Sequence, residues 1–334
     1  MNREYNNNLI EMRGPHVLSP WGISKMMLTV VLALMPTLIV GTKVFGARCL
    51  LVTAICVVLC LILETVLNTL MKRQPKTDDF TCIVTGMIIA LNMPSNVPLW
   101  VAGIACLIAV IIVKGPVGEG RNIINPACTA VLFVYICLSG YLKMWPAPQI
   151  GSPDIPAGAA MVPDWLDVMN GAQGALPTNW ELFLGYTPGA FGCVSAIAII
   201  LGGVFLMWRR VISFIVPASI IITCAAISFI ASVDPVSTVC SGGIMMGAWF
   251  MANDPVTSPT KRRAMVVYGV GIGIITMMIR LLVPFITEGI YAAIIIMNLL
   301  SEKIDMFFIM EKYKSSGPIR VEKIETDEDE NEDK

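Results

Sequence analysis

Charge is scarce in this chain. Lysine, arginine, aspartate and glutamate make up 14% of its residues, against about 25% in an ordinary soluble domain. Histidine is scarcer still, because His16 is the only one. One histidine builds neither a triad nor a histidine-rich metal centre, and His16, in "GPHVLSP", reads as an interfacial residue. The ten cysteines include no C-x-x-C pair, which leaves no spacing suited to an iron–sulfur cluster. Most lie in apolar runs, where cysteine behaves as a small hydrophobe. Cys56 and Cys60 share a helix face at i,i+4, but two thiols alone make a poor metal site. A cleavable signal peptide is not expected, since residues 1–20 are polar and carry Arg3, Glu4, Glu11 and Arg13.

Apolar sequence is what the chain has in abundance. The hydrophobic set reaches 56% and the mean hydropathy is +0.74, which places the protein in the membrane class. Crossing the hydrocarbon takes about 20 apolar residues. Suitable runs lie near 26–46, 49–71, 97–114, 125–143, 188–208, 211–231, 264–283 and 285–301. Two more, near 80–96 and 237–255, begin apolar and break at prolines. The expected fold is therefore an all-α polytopic membrane protein of about ten transmembrane elements.

Lysine and arginine favour cytoplasmic loops. Arg3, Arg13 and Lys25 precede the first span, Lys72, Arg73 and Lys76 follow the second, and Lys114 and Arg121 follow the fourth. Arg209 and Arg210, then Lys261, Arg262 and Arg263, then Lys303, Lys312 and Lys314 fall on the same side of a ten-span arrangement. Lys43, Arg48, Lys143 and Arg280 are exceptions. Between Met144 and Trp208 there is no basic residue at all. The expected organisation is a cytoplasmic N-terminus (1–25), a first five-span unit (26–143), an exterior loop (144–187), a second five-span unit (188–301) and a cytoplasmic acidic tail (302–334).

The stretch "ALNMPSNVP" is poor material for a helix in lipid, because proline removes a backbone donor and clashes with the preceding turn. It has a counterpart. Asn92, Pro94 and Pro98 are matched by Asn253, Pro255 and Pro259, each 161 positions on, and Gly86 and Gly247 share that offset. Five spans separate equivalent elements, so the two units are expected to lie inverted in the membrane. Broken helices at matching places of an inverted repeat point to a site near the midplane. Irregular backbone is tolerated at that depth only inside protein or beside a water-filled cavity.

Four residues are candidates for a cation path. Glu64 lies mid-span in "LILETVLNTL", where a carboxylate is costly and so usually has a role; the plainer reading is a packing group bonded to Asn68. Asn92 and Asn253 lie at the breaks. Asp254 stands before Pro255, near a cation or flavin or as a helix cap. Asp78 and Asp79 read as caps of the third span. The glycine-rich "GPVGEGRNIINPA" permits a phosphate cradle, but it lacks the P-loop Lys-Ser/Thr pair, and a tight packing turn fits it better.

The stretches "TGMIIALNMPSNVPLW", "GEGRNIINPA", "LFLGYTPGAFGCVSAIAIILGG" and "FMANDPVTSPT" resemble the signature segments of RnfD, a membrane component of the Rnf complex. The likeness to NqrB, its homologue in the sodium-pumping NADH:quinone reductase, is looser. The resemblance runs from "GPHVLSP" to about residue 300. It implies a membrane subunit of a redox-driven cation pump linking ferredoxin and NAD, in a bacterial or archaeal cytoplasmic membrane, with a fold similar to urea transporters. The implied partners are other Rnf subunits, the lipid bilayer and Na+ or H+; no nucleic acid is expected.

The same resemblance implies FMN joined through phosphate to a threonine in a motif similar to D-x-x-[ST]-G-A-T-P-L. The matching stretch is "DVMNGAQGAL". Asp167, Gly171 and Ala172 fit, whereas Gln173 stands in the threonine position and has no hydroxyl to esterify. The usual covalent link is therefore expected to be absent, with FMN or riboflavin held without a bond and Thr178 as the fallback acceptor. A passive channel or secondary transporter of urea-transporter-like fold is the competing reading, because inverted repeats and midplane breaks serve it equally.

Overall fold

The computed structural model describes residues 22–72, 80–117, 122–142, 145–148, 161–163, 165–169, 171, 176–283 and 288–315. His16, Asp78, Asp79, Arg121, Ala172 and Gln173 lie outside the described residues.

The described chain is helical apart from one two-residue strand pair. Helices α1 (Ile23–Phe45), α2 (Arg48–Leu70) and α3 (Thr81–Leu91) come first. Next is α4 (Leu99–Leu107), which a π-helical stretch, Ile108–Lys114, carries into α5 (Gly115–Val117). Helices α6 (Pro126–Cys137) and α7 (Ser139–Leu142) follow. Strands β1 (Trp145–Pro146) and β2 (Met161–Val162) pair antiparallel. Short helices α8 (Trp165–Met169) and α9 (Asn179–Leu184) precede α10 (Ala196–Trp208) and α11 (Ile215–Ile230). Then come α12 (Pro235–Cys240), α13 (Ile244–Met246) with a π-helical turn over Gly247–Met251, α14 (Arg262–Leu282) and α15 (Gly289–Ser315). Three of these helices, α1, α2 and α14, are long and apolar enough to cross a membrane. Shorter apolar helices lie between them.

Hydroxyl side chains show how the sequence suits an apolar medium. Thr29, Thr42, Thr53, Thr65, Thr69, Thr85, Ser219, Thr223 and Ser228 each donate to the carbonyl four residues earlier in their own helix. The helix thus supplies the acceptor that water would otherwise provide. Large apolar side chains such as Leu32, Ile62, Leu201, Ile222 and Met278 remain exposed along the helices, forming surfaces suited to lipid.

Close approach between helices uses small residues. A Cβ at Gly202 of α10 would run into the Ala33 carbonyl oxygen of α1, and one at Gly203 into the Trp249 ring. Gly86 sits on α2, where a Cβ would lie 2.8 Å from Val57 Cα, and Gly247 packs on Ile290. Two glycines that the 161-residue offset relates are therefore both points of tight packing.

The break after α3 is filled by protein. Gly192 N–H donates to the Leu91 carbonyl (2.9 Å) and Phe191 N–H to the Met93 carbonyl (3.2 Å). A segment nearly a hundred residues downstream thus takes up acceptors freed where the helix stops. Described parts of the 144–187 loop pack on the chain itself: Trp165, Leu166 and Leu182 form a small apolar cluster with Val233 and Cys240.

Candidate functional site

Two cavities lie at opposite ends of α10. The larger, of about 280 Å³, is lined from α1, α2, α3, α6 and the end of α10, and by the second break. The smaller, of about 20 Å³, is lined by Trp145, Trp165, residues 187–190, Cys193, Val194 and the 240–242 turn, with Glu288. From Ala196 to Leu206 the helix rises roughly 15 Å at about 1.5 Å per residue, which separates the two.

The larger cavity brings together Glu64, Asn253 and Asp254. It also holds Lys114, which corrects the charge-based reading of that residue as part of a cytoplasmic loop. Lys114 is buried, and its Nζ lies 3.5 Å from Glu64 Oε1. Thr81 Oγ1 at 3.5 Å and Cys82 Sγ at 3.3 Å complete its surroundings. One partner that the structure gives Glu64 is thus a cation on another helix. Loop position said nothing of this; a mid-span acid on one helix and a lysine at the end of another were the available signal.

Asn125 caps α6 by accepting from Cys128 N–H (3.1 Å), with Pro126 in the first helical turn, where a missing N–H costs nothing. Its Nδ2 donates to the Met251 carbonyl (3.1 Å) at the end of the second π-helical turn. Asp254 accepts from Val256 N–H (3.3 Å) and Thr257 Oγ1 (3.4 Å), so it caps the turn after the break, and the Lys114 charge reaches it.

Three polar atoms in the cavity wall are buried with no hydrogen-bond partner among the described residues: Asn253 Nδ2, Trp249 Nε1 and Asn122 Oδ1. An unpaired buried polar atom costs about 1–3 kcal/mol. Three on one cavity leave its wall with unmet hydrogen-bonding capacity, which water or a ligand can fill. Trp249 and Asn122 did not stand out in the sequence, and apart from "NIINPA" in a loop nothing there marks them.

Asn92 lies apart from this cavity. It is fully buried; its Oδ1 accepts from Tyr291 Oη (2.7 Å) and Cys193 Sγ (3.2 Å), and its Nδ2 donates to the Ile88 carbonyl (2.6 Å). The expectation that its backbone lines a polar cavity gives way to a packed junction of three chain segments.

In the flavin-motif-like stretch, Asp167 lies in α8 and Gly171 stands at a turn with φ +99°. Thr178 is the N-cap of α9. It forms a capping box in which its Oγ1 accepts from Glu181 N–H (3.4 Å) and its N–H donates to Glu181 Oε2 (2.8 Å). These bonds hold the exposed Glu181 carboxyl below the usual range. Thr178 therefore has a structural role of its own.

The model of the NQR2, RnfD, RnfE family matches residues 11–314. The D component of a Na+-translocating ferredoxin:NAD+ oxidoreductase complex from Acetobacterium woodii is 33% identical over 90% of this chain and 93% of its own. The D component of a proton-translocating ferredoxin:NAD+ oxidoreductase complex from Clostridium ljungdahlii is 28% identical over 88% and 92%. The B component of a Na+-translocating NADH-quinone reductase from Pseudoalteromonas atlantica is 30% identical over 69% and 60%. With a family match across most of its length, and with relatives that are subunits of ion-translocating oxidoreductase complexes, the chain belongs to the NQR2, RnfD, RnfE family.

Proposed function

We propose that this chain is a flavin-holding membrane subunit of an Rnf-type complex that couples electron transfer between ferredoxin and NAD to translocation of Na+ or H+. Its place is a bacterial or archaeal cytoplasmic membrane, with both termini cytoplasmic and ten elements in two inverted halves. Recurrent features support the two halves. Each has a proline break, a buried cation near the end of the helix that follows (Lys114, Arg280), and a polar residue before the next helix (Asn125, Glu288). The larger cavity then opens toward the cytoplasmic side.

The observation that carries the flavin is the set of unpartnered atoms in that cavity. Two donors, Asn253 Nδ2 and Trp249 Nε1, and one acceptor, Asn122 Oδ1, stand on a wall otherwise formed by residues such as Ile23, Val30, Ile88 and Phe250. A flavin ring offers the complement: carbonyl and ring-nitrogen acceptors beside an imide N–H, on a flat apolar body. The cavity, at about 280 Å³, is near the small end of ligand sites, roughly 300–1,000 Å³. When bound, the flavin supplies one- and two-electron transfer. Asn253, Trp249 and Asn122 hold its edge, while Lys114 sets a positive charge near the ring. Glu64 holds Lys114 in place, and with Asp254 it offers carboxylate oxygen to a monovalent cation.

At the exterior loop, Gln173 has no hydroxyl, so FMN is not esterified there. Gly171 and Thr178 then belong to the fold of the loop. The flavin is FMN or riboflavin held without a covalent bond.

The test is flavin content of the purified complex. Asn253→Leu and Trp249→Phe together should lower flavin per complex, with subunit composition unchanged. Unchanged flavin in the double variant would refute the site. A colourless chain that passes a small neutral solute when reconstituted alone would refute the redox assignment.

A further inference from the structure

Behind the smaller cavity lies a charge cluster that the cation path drawn from the sequence does not include. Glu288 and Arg280 are both buried, with Glu288 Oε2 and Arg280 Nη2 3.7 Å apart. Both Glu288 oxygens accept from Gly243 N–H (3.1 and 2.9 Å). Arg280 donates to the Thr238 carbonyl (2.9 Å) and the Ser241 carbonyl (3.1 Å), so it ties the last turn of α14 to the end of α12. Glycine is required at the turn. Gly242 has φ +61°, and a Cβ there would lie 2.8 Å from Arg280 Nη2.

The cluster continues inward. A Cβ on Gly243 would meet the Tyr291 hydroxyl and lie 3.1 Å from Glu288 Oε2, so these groups converge on one backbone position. Tyr291 Oη donates to Asn92 Oδ1 (2.7 Å), and Cys193, which lines the cavity beside Glu288, donates to the same oxygen (3.2 Å). Asn92 Nδ2 reaches Met251 Sδ at 3.9 Å, and the Met251 carbonyl accepts from Asn125, a wall residue of the larger cavity. Hydrogen-bonding groups therefore run from Glu288 and its cavity to Asn92 at the first break, where the buried Met251 side chain lies between Asn92 and the larger cavity. On the outer side, Asp167 is near enough for its charge to reach Glu288.

The cluster also has an unmet donor: Arg280 Nε is buried with no partner among the described residues, which a dry site does not favour. The cavity beside Glu288, about 20 Å³, has room for about one water-sized group. A hydrated cation does not fit while Arg280 occupies the carboxylate.

We propose that Glu288 is the outer gate of the cation route, opened when a small monovalent cation, Na+ or H+, displaces Arg280 from it, and that Tyr291 carries the route from Glu288 to Asn92. Asp167 stands at the approach. This rests on the reading of the chain as a redox-coupled translocating subunit, and it adds the half of the route that Glu64, Asn253 and Asp254 do not supply.

The test uses the intact complex in vesicles, with electron transfer and cation movement measured together. Unmodified complex that shows electron transfer without cation movement would overturn the functional reading itself. Given coupling in the unmodified complex, Glu288→Gln and Tyr291→Phe should each cut cation movement about tenfold, the change that about 1.4 kcal/mol makes to a rate, while electron transfer stays within about twofold. Parallel sodium and proton probes identify which cation is lost. Should Glu288→Gln fail to assemble, Tyr291→Phe, which removes one hydroxyl, decides. Cation movement per electron that stays within about twofold of the unmodified complex in the assembled variants would overturn the gate.

Discussion

Removing one member of the Lys114–Glu64 pair should be far more harmful than removing both. At 3.5 Å, two unit charges attract by about 5 kcal/mol at an effective permittivity of ~20. Lys114 and Glu64 side chains are only 9% and 16% exposed, so water replaces little of a lost partner. Desolvation offsets much of the attraction while the pair is intact. Breaking a buried pair nevertheless leaves one uncompensated charge, at about 3–5 kcal/mol. Lys114→Met and Glu64→Leu should each destabilise by about that amount, whereas the double variant should recover most of it. The coupling from the double-mutant cycle, the two single costs together less that of the double, then exceeds either single cost, at about 5 kcal/mol or more. Reversible unfolding in mixed micelles, followed by tryptophan fluorescence, measures it. Costs that add within about 0.5 kcal/mol would refute the reasoning, since they would mean that the two groups are solvated separately.

Other outcomes follow from the same structure. Gly202→Ala should destabilise by about 1–3 kcal/mol, because the new methyl meets the Ala33 carbonyl rather than a movable side chain; a denaturation midpoint like that of the unmodified protein would contradict this. Asp305 accepts from Thr260 N–H (2.8 Å) and Lys261 N–H (3.1 Å), so Asp305→Ala should cost about 1 kcal/mol and speed amide exchange at the start of α14. Glu181 has a carboxyl held below the usual range by its bonds to Thr178. Its contribution to α9 is therefore present at neutral pH and is lost only as pH falls through that lowered value. Amide exchange in 178–184 should rise only in acid, and Thr178→Ala should raise it at neutral pH.

The membrane-helix class was legible because composition and long apolar runs act over whole segments. The breaks at Asn92 and Asn253 were legible too, since proline and asparagine are conspicuous in an apolar run. What surrounds each break was not. The partners of Asn92, Tyr291 and Cys193, lie far away in sequence, and only tertiary packing brings the 187–195 segment onto the end of α3. Lys114 shows the limit of charge counting: a lysine at a span's end reads as a loop residue, yet its long stem lets it turn inward to an acid on α2. Trp249 and Asn122 remained hidden because their importance lies in what they fail to bond.

Flavin release on denaturation is the most direct check on a cofactor held by the cavity rather than by the exterior loop. The purified complex is precipitated with acid, flavin in the supernatant is counted, and the mass of this polypeptide is measured. All flavin assigned to this polypeptide should appear in the supernatant, with the chain at its unmodified mass. An FMN-sized increment retained on a peptide within 164–180 would contradict the account.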